Sequence, residues 1–371
     1  MRIIYFQQNL ALGACEEYFY LLMQGLDKTR FDITLVCPED AILHPLAAKV
    51  EALGVRVHRY SLTTANYIYL RALFRRLKPD IVHFNDPCLV GIIAARLAGV
   101  PVLLMTHHTP ELNRRYNFRG RVIERMAFDY CKLHVIFTSE YDRDAGIKKD
   151  RLSPQRSFVI YYGLPADKFS QRYNRKEIYG EFSIAEDSRI IGNIGRLAYQ
   201  KGQKYLIEAA SIVIDRFKSA KFFFVGEGGL ESEFKGYIKE KGLEDYFIFT
   251  GYRTDIPRLL SAFEMLVMPS LFEGLCFAVI EASAMGIPVI ATSVGGMRRS
   301  VVDNKTGLLV PPSDPEALAK AMLRILEYPE EAKEMGLAGQ KYFTEMFTQE
   351  KMVKNTEGLY LGLLNKNCKK N

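Results

Sequence analysis

The sequence predicts an α/β chain of two Rossmann-like domains, each a parallel sheet covered by helices. Three observations carry this. Short β-branched or aromatic runs alternate with longer helical stretches, the rhythm of βαβ units with right-handed crossovers. Many of those runs are apolar at every position, which requires a sheet covered on both faces. The alternation also stops near residue 164 and restarts near 189, and 371 residues suit two domains at roughly 150 residues each.

Taken in order, the first series of strands is expected at 3–6, 33–37, 55–60, 81–84, 102–106, 134–138 and 158–161. The stretch from Leu164 to Ser188 is polar, carries no strand and reads as an interdomain connection. The second series is expected at 190–194, 222–225, 247–250, 266–268, 289–291 and 308–310. These give an N-terminal domain over 1–165 and a C-terminal domain over 188–348. Residues 349–364 read as a helix with Met352, Val353, Leu359, Tyr360 and Leu363 as its apolar positions, packing back on the N-terminal domain. The tail 365–371 is expected to fray.

Composition narrows the class. No apolar run approaches the roughly 18 residues of a membrane span. The N-terminus enters a strand at once, so no signal peptide is expected. Six cysteines are scattered without a C-x-x-C pair, which points to neither disulfide nor metal and suits a reducing cytoplasm. Residues 1–170 hold 23 Lys+Arg against 17 Asp+Glu, whereas the remainder hold 27 against 26. The basic half is expected to meet something anionic. No nucleic-acid partner is expected.

In open parallel sheets, ligands sit beyond the carboxyl ends of strands, and a cleft between two such domains is the default site. The residues that follow strands are therefore the informative ones. After the run ending at Met268 comes Pro269-Ser270-Leu271-Phe272-Glu273-Gly274-Leu275-Cys276-Phe277, with Glu281 eight residues beyond Glu273. A helix starting near Gly274 would separate those carboxylates by about 80° and about 12 Å. Its first turn would present amides at Leu275, Cys276 and Phe277 to an anion; an ordinary helix with an acidic start is the plainer alternative. The next strand ends in Gly295-Gly296, either for close approach to a ligand or for a tight turn. Gly195-Arg196 and Lys201-Gly202 flank a loop directly after another strand. Two cations there suit a diphosphate without a metal, against the alternative of solvated surface charges.

The N-terminal half opens with a strand, then a loop through Gly13-Ala14-Cys15-Glu16 into a helix. This is not G-x-G-x-x-G, so dinucleotide binding is not supported. The run ending at Thr106 leads to His107-His108. Adjacent histidines point apart and make a poor metal pair; one of them either bonds a polar substrate or is a buried histidine satisfied by backbone. Asp142-Arg143-Asp144 looks like a metal-binding D-x-D, but acids in a helix's first turn need no metal. Five arginines, at 114, 115, 119, 121 and 125, lie beside Tyr116, Phe118, Val122, Ile123 and Met126. That segment reads as an amphipathic helix facing an anionic acceptor or membrane surface, or as apolar residues packed on the core beneath a solvated basic face.

Together these stretches resemble the retaining glycosyltransferases of family four, which have the GT-B fold, over nearly the whole chain. The likeness rests on the loop 195–202, on Phe224-Val225-Gly226-Glu227-Gly228, Phe249-Thr250-Gly251-Tyr252-Arg253, the E-x7-E segment, and Thr306-Gly307-Leu308-Leu309-Val310-Pro311. In the first half it rests on residues 13–16, Pro79-Asp80-Ile81-Val82-His83 and Thr106-His107-His108. The resemblance implies a metal-independent, cofactor-free enzyme of the hexosyltransferase type that retains anomeric configuration by front-face attack. Its donor would be a nucleotide sugar, a uridine diphosphate sugar by default, and its acceptor a hydroxyl of a cell-surface glycan, a lipid-linked sugar or a small molecule. Arg196 and Lys201 would hold the diphosphate, Glu281 the ribose, and Glu273 with the amides of 275–277 the sugar. Gly13 and Ala14 would approach the phosphates, Gly195, Gly226 and Gly274 line the donor pocket, and the backbone around Arg253 read the base. His108 would meet the sugar C6 hydroxyl near the reacting centre, with His107 as the fallback. Three positions depart from the family pattern: Ala14 for a glycine, Tyr162 for an asparagine, and Arg299 for an acid.

Three further classes compete. A nucleotide-sugar 2-epimerase of the same architecture would not need Glu273 and Glu281 at this spacing, and a dehydrogenase would need the missing glycine fingerprint. A non-catalytic scaffold would have no use for Arg196, Lys201, Glu273 and Glu281.

Overall fold

The computed structural model describes residues 1–8, 14–39, 45–61, 67–85, 87–108, 118–171 and 173–368; side chains are described throughout these except at 14, 15, 45, 46, 118–121, 367 and 368. The chain divides into two compact units, Met1–Gly163 with Gln349–Asn371, and Leu164–Thr348.

The first unit is built on a seven-stranded sheet. Its strands are β1 (Arg2–Phe6), β2 (Asp32–Pro38), β3 (Arg56–Tyr60), β4 (Ile81–Phe84), β5 (Val102–His107), β6 (His134–Phe137) and β7 (Ser157–Val159), in the order β3-β2-β1-β4-β5-β6-β7. Every pairing is parallel. One face packs Leu73, Phe74, Ile92, Ala95 and Phe128 against Ile4, Val82 and Met105. On the other face lie buried aromatics, among them Tyr5, Tyr18, Phe19 and Tyr360.

Tyr360 comes from the last helix, Gln349–Cys368. That helix belongs to the first unit: Gln349 Nε2 donates to the Leu21 carbonyl at 2.8 Å, and Tyr360 meets the Tyr5 hydroxyl at 2.9 Å. It runs to Cys368 instead of fraying from 365. No glycine or proline interrupts 363–368 to end it sooner.

The second unit carries β8 (Arg189–Ile194), β9 (Ala220–Val225), β10 (Phe247–Gly251), β11 (Phe263–Met268), β12 (Val289–Thr292) and β13 (Gly307–Val310), ordered β10-β9-β8-β11-β12-β13. These pairings are parallel too. The run Phe222-Phe223-Phe224 shows why an all-apolar strand belongs here. Phe222 and Phe224 enter the core on one face and Phe223 the core on the other. Each buried ring contributes about 1.5–3 kcal/mol.

The stretch read from sequence as an interdomain connection is largely part of the second unit. Asn174 caps a helix, Arg175–Glu181, by accepting from the Lys176 amide at 3.1 Å. That helix buries Ile178 and Tyr179 in the core of the unit. Only one face of it is apolar, so the segment looks polar when read linearly.

Candidate active site

Both sheets reverse their winding once, between β1 and β4 in the first and between β8 and β11 in the second. Carboxyl ends at such a switch point diverge and leave room for a ligand. Most of the candidate residues stand there.

In the second unit, the loops beyond β8, β9, β11 and β12 are packed backbone to backbone. A Cβ on Gly226 would lie 2.3 Å from the Gly195 carbonyl oxygen, and one on Gly295, at φ +46°, would lie 2.0 Å from the Glu273 oxygen. The Gly296 amide donates to that Glu273 oxygen at 3.0 Å. Gly295 and Gly296 thus serve the approach of one loop to another, with the positive φ at Gly295 as well. Side chains complete the brace: Gln203 Nε2 donates to the Arg196 carbonyl at 3.0 Å, and Gln200 Nε2 to the Phe272 carbonyl at 3.1 Å.

On this frame Lys201 Nζ meets Glu273 Oε2 at 2.6 Å, and Ser270 Oγ donates to the same oxygen at 3.3 Å. The pair is mostly enclosed, with side chains 16% and 11% exposed. Burial works to lower the Lys201 pKa, and the Glu273 carboxylate outweighs it, so the ammonium stands above its ordinary value. Arg196 is exposed, two residues beyond β8. Among the described residues nothing bonds its guanidinium, so its charge is available to an anion.

The helix after β11 differs from expectation. It spans Phe277–Ala284, with Cys276 as an extended N-cap, and does not start near Gly274. The backbone at Gly274 lies under Gly296, where a Cβ would come within 2.6 Å of the Gly274 carbonyl carbon. That packing accompanies an extended path through the buried residues Leu275 and Cys276. Glu273 therefore lies on the loop and not on the helix. Glu281 sits one turn beyond Phe277, half-buried. The helix's free amides begin at Phe277, and those of Leu275 and Cys276 belong to the loop. Burial pushes the Cys276 thiol up to about 11, so it stays protonated.

Arg253 is engaged through its side chain. Nη1 meets Glu181 at 2.6 Å, and Nε and Nη2 meet Asp255 at 2.8 and 2.7 Å. The bond from Arg253 holds the Asp255 carboxyl down at about 2. The Gly226 amide donates to the Gly251 carbonyl at 2.9 Å, and the Tyr252 amide to Glu227 Oε1 at 3.2 Å. The β9 and β10 ends are thereby tied together.

In the first unit, Gly13 lies outside the described residues, and Ala14 opens the helix Ala14–Gly25. The two histidines beyond β5 have different surroundings. His108 is buried, with Nδ1 at 2.6 Å from the Tyr162 hydroxyl and Nε2 at 2.7 Å from Asn85 Oδ1. Its partners are side chains, not the backbone that one alternative supposed. Burial, with His107 adding to it, lowers its pKa to about 3. His107 stacks on Phe137 with centroids 5.7 Å apart, and its Nδ1 is enclosed without a partner. Burial lowers its pKa to about 4. The sequence pattern did not single out Asn85, Tyr162, Ser270, Gln200 or Gln203 as supporting groups. For Asn85 and Ser270 a signal was present: each is a polar residue one or two positions beyond a strand.

The D-x-D segment is a helix cap. Ser139 caps the helix Glu140–Lys149, its hydroxyl accepting from the Asp142 amide at 3.1 Å and donating to Asp142 Oδ2 at 2.6 Å. Among the described residues, no three His, Cys, Asp or Glu side chains converge as metal ligands would.

Of the basic segment, 114–117 lies outside the described residues, and the Arg119 and Arg121 side chains do too. The helix Phe118–Cys131 leaves Ile123, Met126 and Tyr130 59%, 66% and 64% exposed. Ile123 and Met126 therefore do not pack on the core; Phe128 and Cys131 do. No helix among the described residues is long and apolar enough to cross a membrane.

Comparison with known proteins agrees with this arrangement. Residues 174–342 match the family described as Glycosyl transferases group 1, and residues 15–168 match Glycosyltransferase Family 4. The 2-deoxystreptamine glucosyltransferase of Streptomyces kanamyceticus is 32% identical over 369 residues, covering 91% of both chains. The UDP-Gal:alpha-D-GlcNAc-diphosphoundecaprenol alpha-1,3-galactosyltransferase of Escherichia coli is 29% identical over 317 residues, covering 81% of this chain and 82% of the relative. Anabaena Alr3699/HepE in complex with UDP superposes with a TM-score of 0.87 at 19% identity, over 98% of this chain and 100% of that one. Two parallel sheets with the GT-B fold, matches over both halves and a relative alike over nearly the full length make one conclusion: the chain is a glycosyltransferase and belongs to glycosyltransferase family 4.

Proposed function

We propose that the enzyme transfers a sugar from a uridine diphosphate sugar to a hydroxyl acceptor with retention of anomeric configuration and without a metal. The observation that carries this is the cation pair beyond β8. Arg196 offers an unspent guanidinium, while Lys201 is held in place by Glu273 and Ser270. As the sugar–phosphate bond breaks, negative charge develops on the departing diphosphate, and fixed cations stabilise that charge without reorganising. The acceptor oxygen bonds to the anomeric carbon on the face the diphosphate leaves. Its proton passes to the departing phosphate oxygen. Glu273 is bound to Lys201 and Ser270, which suits a positioning and charge-balancing role better than that of a nucleophile. Glu281 and the backbone near Arg253 would serve the ribose and the base. Uridine is favoured because Alr3699/HepE was solved with UDP and with UDP-glucose.

The acceptor is proposed to be anionic or membrane-attached, approached by peripheral contact from the cytoplasmic side. Support comes from the exposed Ile123, Met126 and Tyr130 on a helix that also carries arginines. The name of the Escherichia coli relative adds to it, since that acceptor is a diphosphoundecaprenol.

The test is thermal unfolding with UDP, GDP and ADP, each with and without excess EDTA. UDP at about 100 times its Kd should add about 2.7 kcal/mol of stability, with or without chelator, and UDP-glucose should be slowly hydrolysed. No stabilisation by any of the three overturns the donor site; stabilisation or turnover lost in EDTA overturns metal independence.

A further inference from the structure

One face of the first sheet is filled with aromatic rings, yet a line of polar atoms runs through the middle of it. Tyr5 on β1, His83 on β4 and Thr106 on β5 share that face: Tyr5 is the register partner of His83, and Thr106 lies two residues beyond Leu104, which also pairs with His83. The Tyr360 hydroxyl, from the helix Gln349–Cys368, stands 2.9 Å from the Tyr5 hydroxyl and 2.6 Å from His83 Nδ1. His83 Nε2 is 2.7 Å from Thr106 Oγ1, and that oxygen is 3.3 Å from the Tyr18 hydroxyl. All five side chains are fully buried. Burial lowers the His83 pKa to about 3 and raises those of the three tyrosines, so the line is uncharged.

Polar atoms shut away from water destabilise a core unless each has a partner, and apolar side chains would fill this space at less cost. What a satisfied buried network adds is a single geometry. Packing supports that geometry here. Phe19 meets Tyr5 and His83 edge-on at 4.8 and 5.0 Å. The last helix is seated at Gly25, where a Cβ would come within 2.6 Å of Val353 Cγ2. The line ends on two elements at the carboxyl side of the sheet. Thr106 is followed at once by His107 and His108. Tyr18 belongs to the helix Ala14–Gly25 and meets the His108 ring edge-on at 5.3 Å.

We propose that Tyr360 and His83 are positioning residues for the transfer reaction. Tyr360, 277 positions from His83 in the sequence, fixes Thr106 and Tyr18 through the imidazole and with them the start of the loop beyond β5. Both residues are fully buried and act through Thr106. The inference rests on the proposed donor chemistry for its effect on turnover, and on the buried contacts alone for its effect on the loop. The cations proposed to hold the diphosphate belong to the other unit, so the effect falls on kcat and not on donor binding.

Two variants of the full chain separate positioning from stability. Tyr5→Phe and Tyr360→Phe each delete one buried hydroxyl and keep the ring. Tyr5 stands at the end of the line and Tyr360 inside it, so only Tyr360→Phe cuts the route to Thr106. In UDP-glucose hydrolysis well below either Tm, Tyr360→Phe should lower kcat about tenfold, as a slightly displaced site does, with KM and the Kd for UDP unchanged. Tyr5→Phe should keep the wild-type kcat. Thr106→Val should match Tyr360→Phe, and Thr106→Ser, which keeps the hydroxyl, should keep the wild-type rate. The Tyr360→Phe, Thr106→Val double variant should be no worse than the worse single. Wild-type kcat in Tyr360→Phe, an equal loss in Tyr5→Phe, or a loss that appears in the Kd for UDP overturns the positioning role. If Tyr360→Phe does not fold, the two Thr106 variants decide it: equal rates in Val and Ser overturn it.

A spectrum of 15N-labelled histidine reads the loop without turnover. The ring signals of His107 and His108 are those lost in His107→Gln and His108→Gln. They should shift in Tyr360→Phe and stay in place in Tyr5→Phe; signals unmoved in both overturn the link. Should the wild-type chain neither bind UDP nor hydrolyse UDP-glucose, the donor reading falls while this spectrum still decides the link.

Discussion

Arg196 and Lys201 serve the same proposed ligand but stand in different surroundings, and their alanine variants should separate function from stability. Arg196 is exposed and its guanidinium has no described partner. Arg196→Ala should change stability by no more than about 0.5 kcal/mol. Lys201 is paired at 2.6 Å with a Glu273 side chain only 11% exposed. Lys201→Ala leaves that carboxylate enclosed with Ser270 as the partner named above, and an unsatisfied enclosed charge costs about 2 kcal/mol. For a unit the size of 164–348 this is about 4–8 °C in Tm, against about 2 °C or less for Arg196→Ala. Both variants should lose about 10²–10³ in turnover of UDP-glucose, the usual cost of removing one preorganised charge contact.

The comparison holds over an ordinary range of pH. The Lys201 pKa is raised, so its contribution is fully present below the usual lysine range and fades only as pH climbs through the raised value. Calorimetry between pH 7 and 8 therefore sees an intact ion pair. A double variant, Lys201→Ala with Glu273→Ala, should cost less stability than the two singles added, with coupling of about 1 kcal/mol. Equal Tm losses for Arg196→Ala and Lys201→Ala, or additive singles, would refute the claim that one cation is structural as well as functional.

Three further outcomes are expected. Gly295→Ala meets the Glu273 oxygen and should abolish UDP binding as well as cost more than about 1 kcal/mol, whereas Gly242→Ala, with a similar positive φ but nothing within 4 Å, should cost about 1 kcal/mol and bind UDP normally; equal binding in both would remove the loop-packing argument. Burial holds His83, His107 and His108 at about 3, 4 and 3, so they stay neutral in the fold while the unfolded chain takes up protons below about pH 6.5; stability then falls from pH 6.5 towards 4, by about 1.4 kcal/mol per histidine at pH 5.5. Residues 164–348 contain no histidine, so hydrogen exchange at pH 5.5 should loosen the first unit and spare the second, and the reverse order would contradict the assignment. In flotation with vesicles containing anionic lipid, Ile123→Ser with Met126→Ser should reduce recovery several-fold at low salt; recovery equal to wild type, or equal on neutral vesicles, would leave that helix face without a membrane role.

Most of the architecture was legible because it is local. A run such as Phe222-Phe223-Phe224 can only be covered on both sides, and all the expected strands are present near their expected positions. What was not legible depends on pairing across the chain. Lys201 and Glu273 are 72 positions apart, and nothing in either loop announces an ion pair. The helix after β11 was placed too early because Gly274 looks like a helix start in isolation; its extended path accompanies the packing of Gly296, which lies over it only in the folded sheet. The segment 175–181 was missed because two buried residues, Ile178 and Tyr179, make too short an apolar signal. The histidines after β5 were recognised as pointing apart, but the partners that distinguish them, Asn85 and Tyr162, lie 23 and 54 positions from His108.

The two switch points share a strand order but not an electrostatic character, and this difference favours the second unit for the proposed donor. In the first unit the carboxyl ends of β1, β4 and β5 are closed by amides and neutral imidazoles that satisfy one another. The described part of that network offers a diphosphate no cation. In the second unit the corresponding ends present Arg196, Lys201 and a helix N-terminus on loops whose approach is fixed by glycines. A ligand with two or more negative charges gains there from groups already oriented, so little ordering entropy is lost on binding. In the sequence, five arginines of the first unit fall in or just before the helix Phe118–Cys131. Charge in that position acts at longer range and is screened within about 8 Å at physiological salt. It suits gathering an anionic acceptor or surface, while the oriented cations of the second unit suit holding a diphosphate through bond breaking.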